Sequence, residues 1–84
     1  METRIGLIGI IVEDLHATEK LNQILHDYGT YIIGRMGLPH RERNLSIISV
    51  VIDAPHNVIS ALSGKLGMIN GITVKTIYSK SSQE

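Results

Sequence analysis

Two segments of this chain, residues 5–12 and 45–52, are apolar on both of their alternating faces. In the first, Ile5, Leu7, Gly9 and Ile11 line one side and Gly6, Ile8, Ile10 and Val12 the other. Successive side chains of a strand point to opposite faces, so such a run needs cover on both. The chain has only 84 residues, and a domain of that size buries a modest share of its unfolded surface. Two doubly apolar strands present more oily surface than one thin layer can cover. The sequence therefore reads as one layer of a larger assembly.

The remaining elements follow from periodicity. Ala17, Leu21, Ile24, Leu25 and Tyr28 recur at helical spacing and predict one apolar stripe. Asp14, His16 and Thr18 all suit the start of this helix. Gly29 stands where a left-handed residue would end it. Residues 30–36 predict a second strand, with Tyr31 and Ile33 opposite Ile32 and Met36. Residues 38–43 predict a turn punctuated by Pro39. After the third strand, Asp53-Ala54-Pro55 opens a second helix with the stripe Val58, Ile59, Leu62 and Leu66. Asn70-Gly71 marks a turn, and residues 72–78 alternate as a last strand, Ile72, Val74, Thr76 and Tyr78 against Thr73, Lys75 and Ile77.

The order β-α-β-β-α-β is the ferredoxin-like plan, an α+β sandwich. It predicts a four-stranded antiparallel sheet with two helices on one face. The first and third strands are central in that plan, and they are the two doubly apolar runs. The fourth carries polar residues, as an edge should. Residues 1–80 are expected to form one domain, with 81–84 a polar tail. Two helices leave one sheet face bare, which marks an interaction surface. Ile8, Ile10, Ile33, Ile48 and Val50 are the residues expected there. The expected partner is the chain itself, as a homodimer or homotetramer.

Composition excludes several classes. There is no cysteine, so disulfides and thiolate metal sites are ruled out. Formal net charge is zero and Phe and Trp are absent, which argues against direct nucleic-acid binding by a basic field or by base stacking. The first apolar run is too short to span a bilayer, and the start lacks the pattern of a secretory signal. A cytoplasmic protein without membrane attachment is expected.

The candidate site is the basic segment around Arg35, Gly37, His40 and Arg43. Guanidinium groups beside glycine backbone suit a carboxylate, a phosphate or a partner chain. Arg35 stands inside an apolar strand, where a charge needs a partner. His16, His26, His40 and His56 show no metal-ligand spacing, so no metal and no cofactor is expected. Glu13-Asp14 ends the first strand and favours the positive end of the following helix. Gly64-Lys65-Leu66-Gly67 lacks the upstream glycine and following Ser or Thr of a phosphate-binding loop. No catalytic constellation is present.

The string Y-G-T-Y-I-I-G-R-M-G-L-P-H-R-E-R, followed by L-S-I-I-S-V-V-I-D-A-P and S-A-L-S-G-K-L-G, resembles the iron-only hydrogenase system regulators. The opening R-I-G-L-I-G-I-I-V-E-D fits the same family. The resemblance implies a stand-alone regulatory protein, similar in fold to ACT domains and to the C-terminal sensor domain of nickel-responsive regulators. Both of those bind effectors at subunit interfaces. The glycine usual at the first turn of ACT domains is replaced here by Glu13-Asp14-Leu15-His16, and the closely spaced His and Cys of nickel sensors are absent. Neither amino-acid binding at that turn nor nickel sensing is implied. No ribbon-helix-helix segment precedes the sheet, so any effect on DNA would pass through a partner. The expected function is a non-enzymatic, ACT-like regulatory module that binds a small effector or another regulatory protein at a subunit interface. The alternatives are an assembly or maturation partner with no small ligand, and a small enzyme using His40 as base.

Overall fold

The computed structural model describes residues 2–80; the expected polar tail, 81–84, lies outside them. Four strands form one antiparallel sheet: β1 (Arg4–Val12), β2 (Ile32–His40), β3 (Leu45–Ala54) and β4 (Ile72–Tyr78). They lie in the order β2-β3-β1-β4. The helices α1 (Thr18–Asp27) and α2 (His56–Gly67) follow β1 and β3. This is the expected ferredoxin-like βαββαβ sandwich, with the doubly apolar strands in the middle and the helices on one face.

Which face the helices cover differs from the expectation. Ile8, Ile10, Ile48 and Val50 are buried with Val12, Ile52 and Ala54 beneath Leu21, Leu25, Ile59, Leu62 and Leu66. They form the helix-side core and are not on the bare face. Gly6 shows why. A Cβ at Gly6 would stand 3.0 Å from Ile52 Cγ2 and 3.2 Å from Ile59 Cγ2, so the close seating of α2 uses the bareness of that position. The even-numbered residues of β1 thus turn toward the helices. The Ser63 and Thr76 hydroxyls, 2.8 Å apart, tie α2 to the same side of β4.

The edge strand β2 also departs from the reading. It continues through Leu38, Pro39 and His40, and the turn is confined to a 3-10 segment, Arg41–Arg43, closed by Asn44 at φ 55°. Pro39 pairs with Ser46, and an edge strand tolerates a residue that cannot donate. Ile32 pairs with Ile52 and Gly34 with Val51, so one extra residue is inserted between them. This β-bulge switches the alternation. Ile32 packs against the core, while Gly34, Met36, Leu38 and His40 take the other side. Ile33 sits in the bulge, 64% exposed.

Helix ends are simple. Asp14 accepts from the His16 backbone N–H at 3.0 Å, capping a 3-10 turn (Leu15–Ala17) ahead of α1. Gly29 is not left-handed. Its N–H instead donates to the His26 carbonyl at 3.0 Å. Asp53 and Ala54 belong to β3, and Pro55 caps α2 from outside. Gly71, at φ 85°, is the left-handed residue of the expected turn, and its carbonyl accepts from the N–H groups of Glu13 (2.7 Å) and Asp14 (3.1 Å).

These glycines predict opposite responses to alanine. Nothing lies within 4 Å of a Cβ at Gly64, so Gly64→Ala should stabilise the protein by up to about 1 kcal/mol. A Cβ at Gly71 would overlap Asp14 Cβ, on a backbone L-residues disfavour. Gly71→Ala should cost at least about 2 kcal/mol. Urea denaturation of both variants checks the pair.

Candidate functional site

The helices leave the other sheet face open, and that face is apolar. In register across the sheet run Leu38, Ile47, Ile11 and Thr73; then Met36, Ser49, Gly9 and Lys75; then Gly34, Val51, Leu7 and Ile77. Leu7, Ile11, Met36, Leu38, Ile47 and Ile77 are all exposed, from 40% at Ile47 to 69% at Met36. The contrast between neighbours is direct: Ile48 is 6% exposed and Ile47 40%. Six large apolar side chains on one small face form an unusually continuous patch.

The middle row is low. Ser49 and Gly9 are small, so a hollow of about 270 Å³ opens there, lined by Gly9, Ile11, Ile47, Ser49, Thr73 and Lys75. Gly9 differs from Gly6 in kind. A Cβ added at Gly9 would meet only the Lys75 carbonyl, at 3.8 Å, an ordinary contact. The Thr73 hydroxyl donates to Glu13 Oε1 at 2.8 Å, at the end of the neighbouring row that Ile47 and Ile11 form. A second hollow, of about 290 Å³, lies at the start of α1 among Asp14, His16, Lys20, Met68 and Asn70. Its charges are mixed, and His16 already pairs with Asp14 at 3.2 Å.

The four residues of the expected effector site do not form one cluster. Arg35 pairs with Val50 and Gly37 with Ile48, so both take the helix side of β2. His40 pairs with Leu45 on the opposite alternation. Arg43 lies in the 3-10 segment at the hairpin tip. Arg35 finds the partner its setting called for, donating to Asn22 Oδ1 of α1 at 2.6 Å. Gly37 has open space around it. His40 and Arg43 are exposed, with no side-chain partner among the described residues. Nothing there orients the His40 imidazole as a base would require.

The sequence reading missed the open-face residues themselves. The available signal was β4, where Lys75 and Thr73 share a side with Ile77 and so mark the wet face. Carrying that parity across the pairing Gly9↔Lys75 assigns the odd residues of β1 to the same side.

Such a sheet, helix-covered on one face and bare and oily on the other, defines a small ACT-like fold. The chain matches the TM1266-like family, described as "Iron-only hydrogenase system regulator, putative", over residues 4–76. It belongs to that family. It is similar to protein TM1266 of Thermotoga maritima, with 40% identity and a TM-score of 0.90, covering 94% of this chain and all of that one. It is 30% identical over 67 residues, 80% of its own length, to a "Putative nickel-responsive regulator" of Saccharolobus solfataricus, of which it spans only 50%. The apo form of CPII from Thiomonas intermedia K12, a nitrogen regulatory PII-like protein, shares the fold at 14% identity and a TM-score of 0.58, covering 96% of this chain and 95% of CPII.

The nickel-responsive relative raises the question of a metal. Among the described residues no group of three or more His, Asp or Glu side chains converges as a ligand set. His16, His26, His40 and His56 lie on the 3-10 turn, α1, the end of β2 and the start of α2.

The Arg35–Asn22 contact is exposed, and such contacts contribute little. Arg35→Ala should change stability by less than about 0.5 kcal/mol. Thermal denaturation of this variant would expose any larger structural role for Arg35.

Proposed function

We propose that this chain is a regulatory module of an iron-only hydrogenase system that works as a homo-oligomer through its open sheet face. A small effector or a partner protein would bind at or beside that interface. Membership of the regulator family supports the first part. The observation that carries the second is the exposure of Leu7, Ile11, Met36, Leu38, Ile47 and Ile77 on one surface. Full burial of a large apolar side chain is worth about 1.5–3 kcal/mol. Six half-exposed ones supply on the order of 5–10 kcal/mol per copy, before the cost of association.

The mechanism is a shift of equilibrium. An effector that binds the assembled form more tightly than the separate chains raises the assembled fraction by that difference in affinity. The hairpin end supplies the polar part of the surface. His40 and Arg43 offer a partner protein unpaired donors, and Arg35 and Gly37 extend this edge on the helix side. Arg43 suits a carboxylate of the partner, because a guanidinium makes two parallel hydrogen bonds to it. No residue is assigned a catalytic role.

Adjacent substitutions on β3 test the interface. Ile47→Lys should leave the fold intact and dissociate the oligomer in sedimentation velocity. Ile48→Lys should unfold the chain, because it puts a charge in the core. A wild-type protein that sediments as a folded monomer at low micromolar concentration would end the interface reading.

A further inference from the structure

The hollow over Gly9 leaves room on the open face for a small molecule. Glycine weakens the interior of a central strand, and it often marks a close approach by a ligand or another backbone. Nothing in this chain requires it at position 9, since a Cβ there would meet only the Lys75 carbonyl, at 3.8 Å. Ile11 and Ile47 make an aliphatic wall, and Ser49 lies beside Gly9 in the next row. Lys75 lines the hollow as well, and its exposed side chain has no ion pair or side-chain hydrogen bond among the described residues. Glu13, the acid that follows β1, is engaged by the Thr73 hydroxyl. An apolar hollow with one uncommitted cation in its lining matches a molecule with an aliphatic body and one anionic end.

We propose that the hollow formed by Gly9, Ile11, Ile47, Ser49 and Lys75 binds a small aliphatic carboxylate. Its chain would lie along the trough over Gly9, and its carboxylate would meet Lys75 with a charge-assisted hydrogen bond. The Ser49 hydroxyl is the other polar group in the row. This rests on the reading of the open face as the regulatory surface and names the class of effector held there. Bound within the face, the ligand would fill the space that the small middle row leaves when two sheets meet.

Octanoate is the probe, with octanol and octylamine as chain-matched controls, each used below its solubility or micelle limit. Calorimetry and backbone amide NMR on the full chain should give saturable octanoate binding with shifts centred on Gly9, Ser49 and Lys75. Octanol should bind about tenfold more weakly and octylamine not at all. Lys75→Gln should lower octanoate affinity by about the same factor. Gly9→Val should abolish saturable binding, and Gly9→Ala is the milder variant if the valine perturbs folding. Absence of saturable binding, equal binding of all three probes, or indifference to both Lys75→Gln and the Gly9 variants would overturn the proposal. Sedimentation on the same samples separates the two ideas. Dimers that ignore octanoate sink the carboxylate and leave the interface standing. Monomers sink the interface, and the titration then judges the hollow on a single chain.

Discussion

The seating of α2 on Gly6 governs the rest of this molecule. β1 is apolar on both alternations, so hydrophobicity alone leaves the choice of covered face undecided. Sterics decides it. Ile59 descends to the backbone at Gly6, with Ile52 closing the other side, and a side chain there would have to push both back. Once this contact is made, Ile8, Ile10 and Val12 fall under the helices, and the pairing of β1 with β3 draws in Ile48 and Val50. The opposite residues then have no cover among the described residues. The oily outer surface is thus a direct result of how the inner one is packed.

Much of the architecture was legible in the residues. The order of elements, the central position of β1 and β3 and the apolar stripes of both helices all follow from periodicity. The face parity did not follow, because in period-two elements with two apolar faces a shift of one residue exchanges core and surface. Only β4 is clearly two-sided, and its information reaches β1 through a pairing register that no local pattern reveals. The extension of β2 was hidden for a different reason. Pro39 is a turn signal in most settings, and only the edge position, itself a tertiary fact, makes it acceptable in a strand.

The candidate site was legible in kind and not in detail. That one face would be bare and sticky followed from counting layers. The residues on it did not, because the count carries no parity. The basic segment read as one cluster since Arg35, Gly37, His40 and Arg43 lie close in sequence. Alternation along β2 sends Arg35 and Gly37 to one side and His40 to the other, and Arg35 turns inward to Asn22. Gly9 was read as part of a strand. Its interest emerges only when it is compared with Gly6, which the fold needs sterically as Gly9 is not.

The single inserted residue between Ile32 and Gly34 reaches further than its size suggests. Beyond it, the whole distal half of β2 is rotated by half a pleat. Were the strand one residue shorter at this point and the pairing beyond it kept, Met36 and Leu38 would stay outward because their register partners hold them. Were the pairing to slide instead, the guanidinium of Arg35 would swing onto the oily side and the two aliphatic residues would turn inward. A one-codon deletion followed by such a slide would thus put a charge on the greasy outer margin and press Met36 and Leu38 onto the helix side of the sheet.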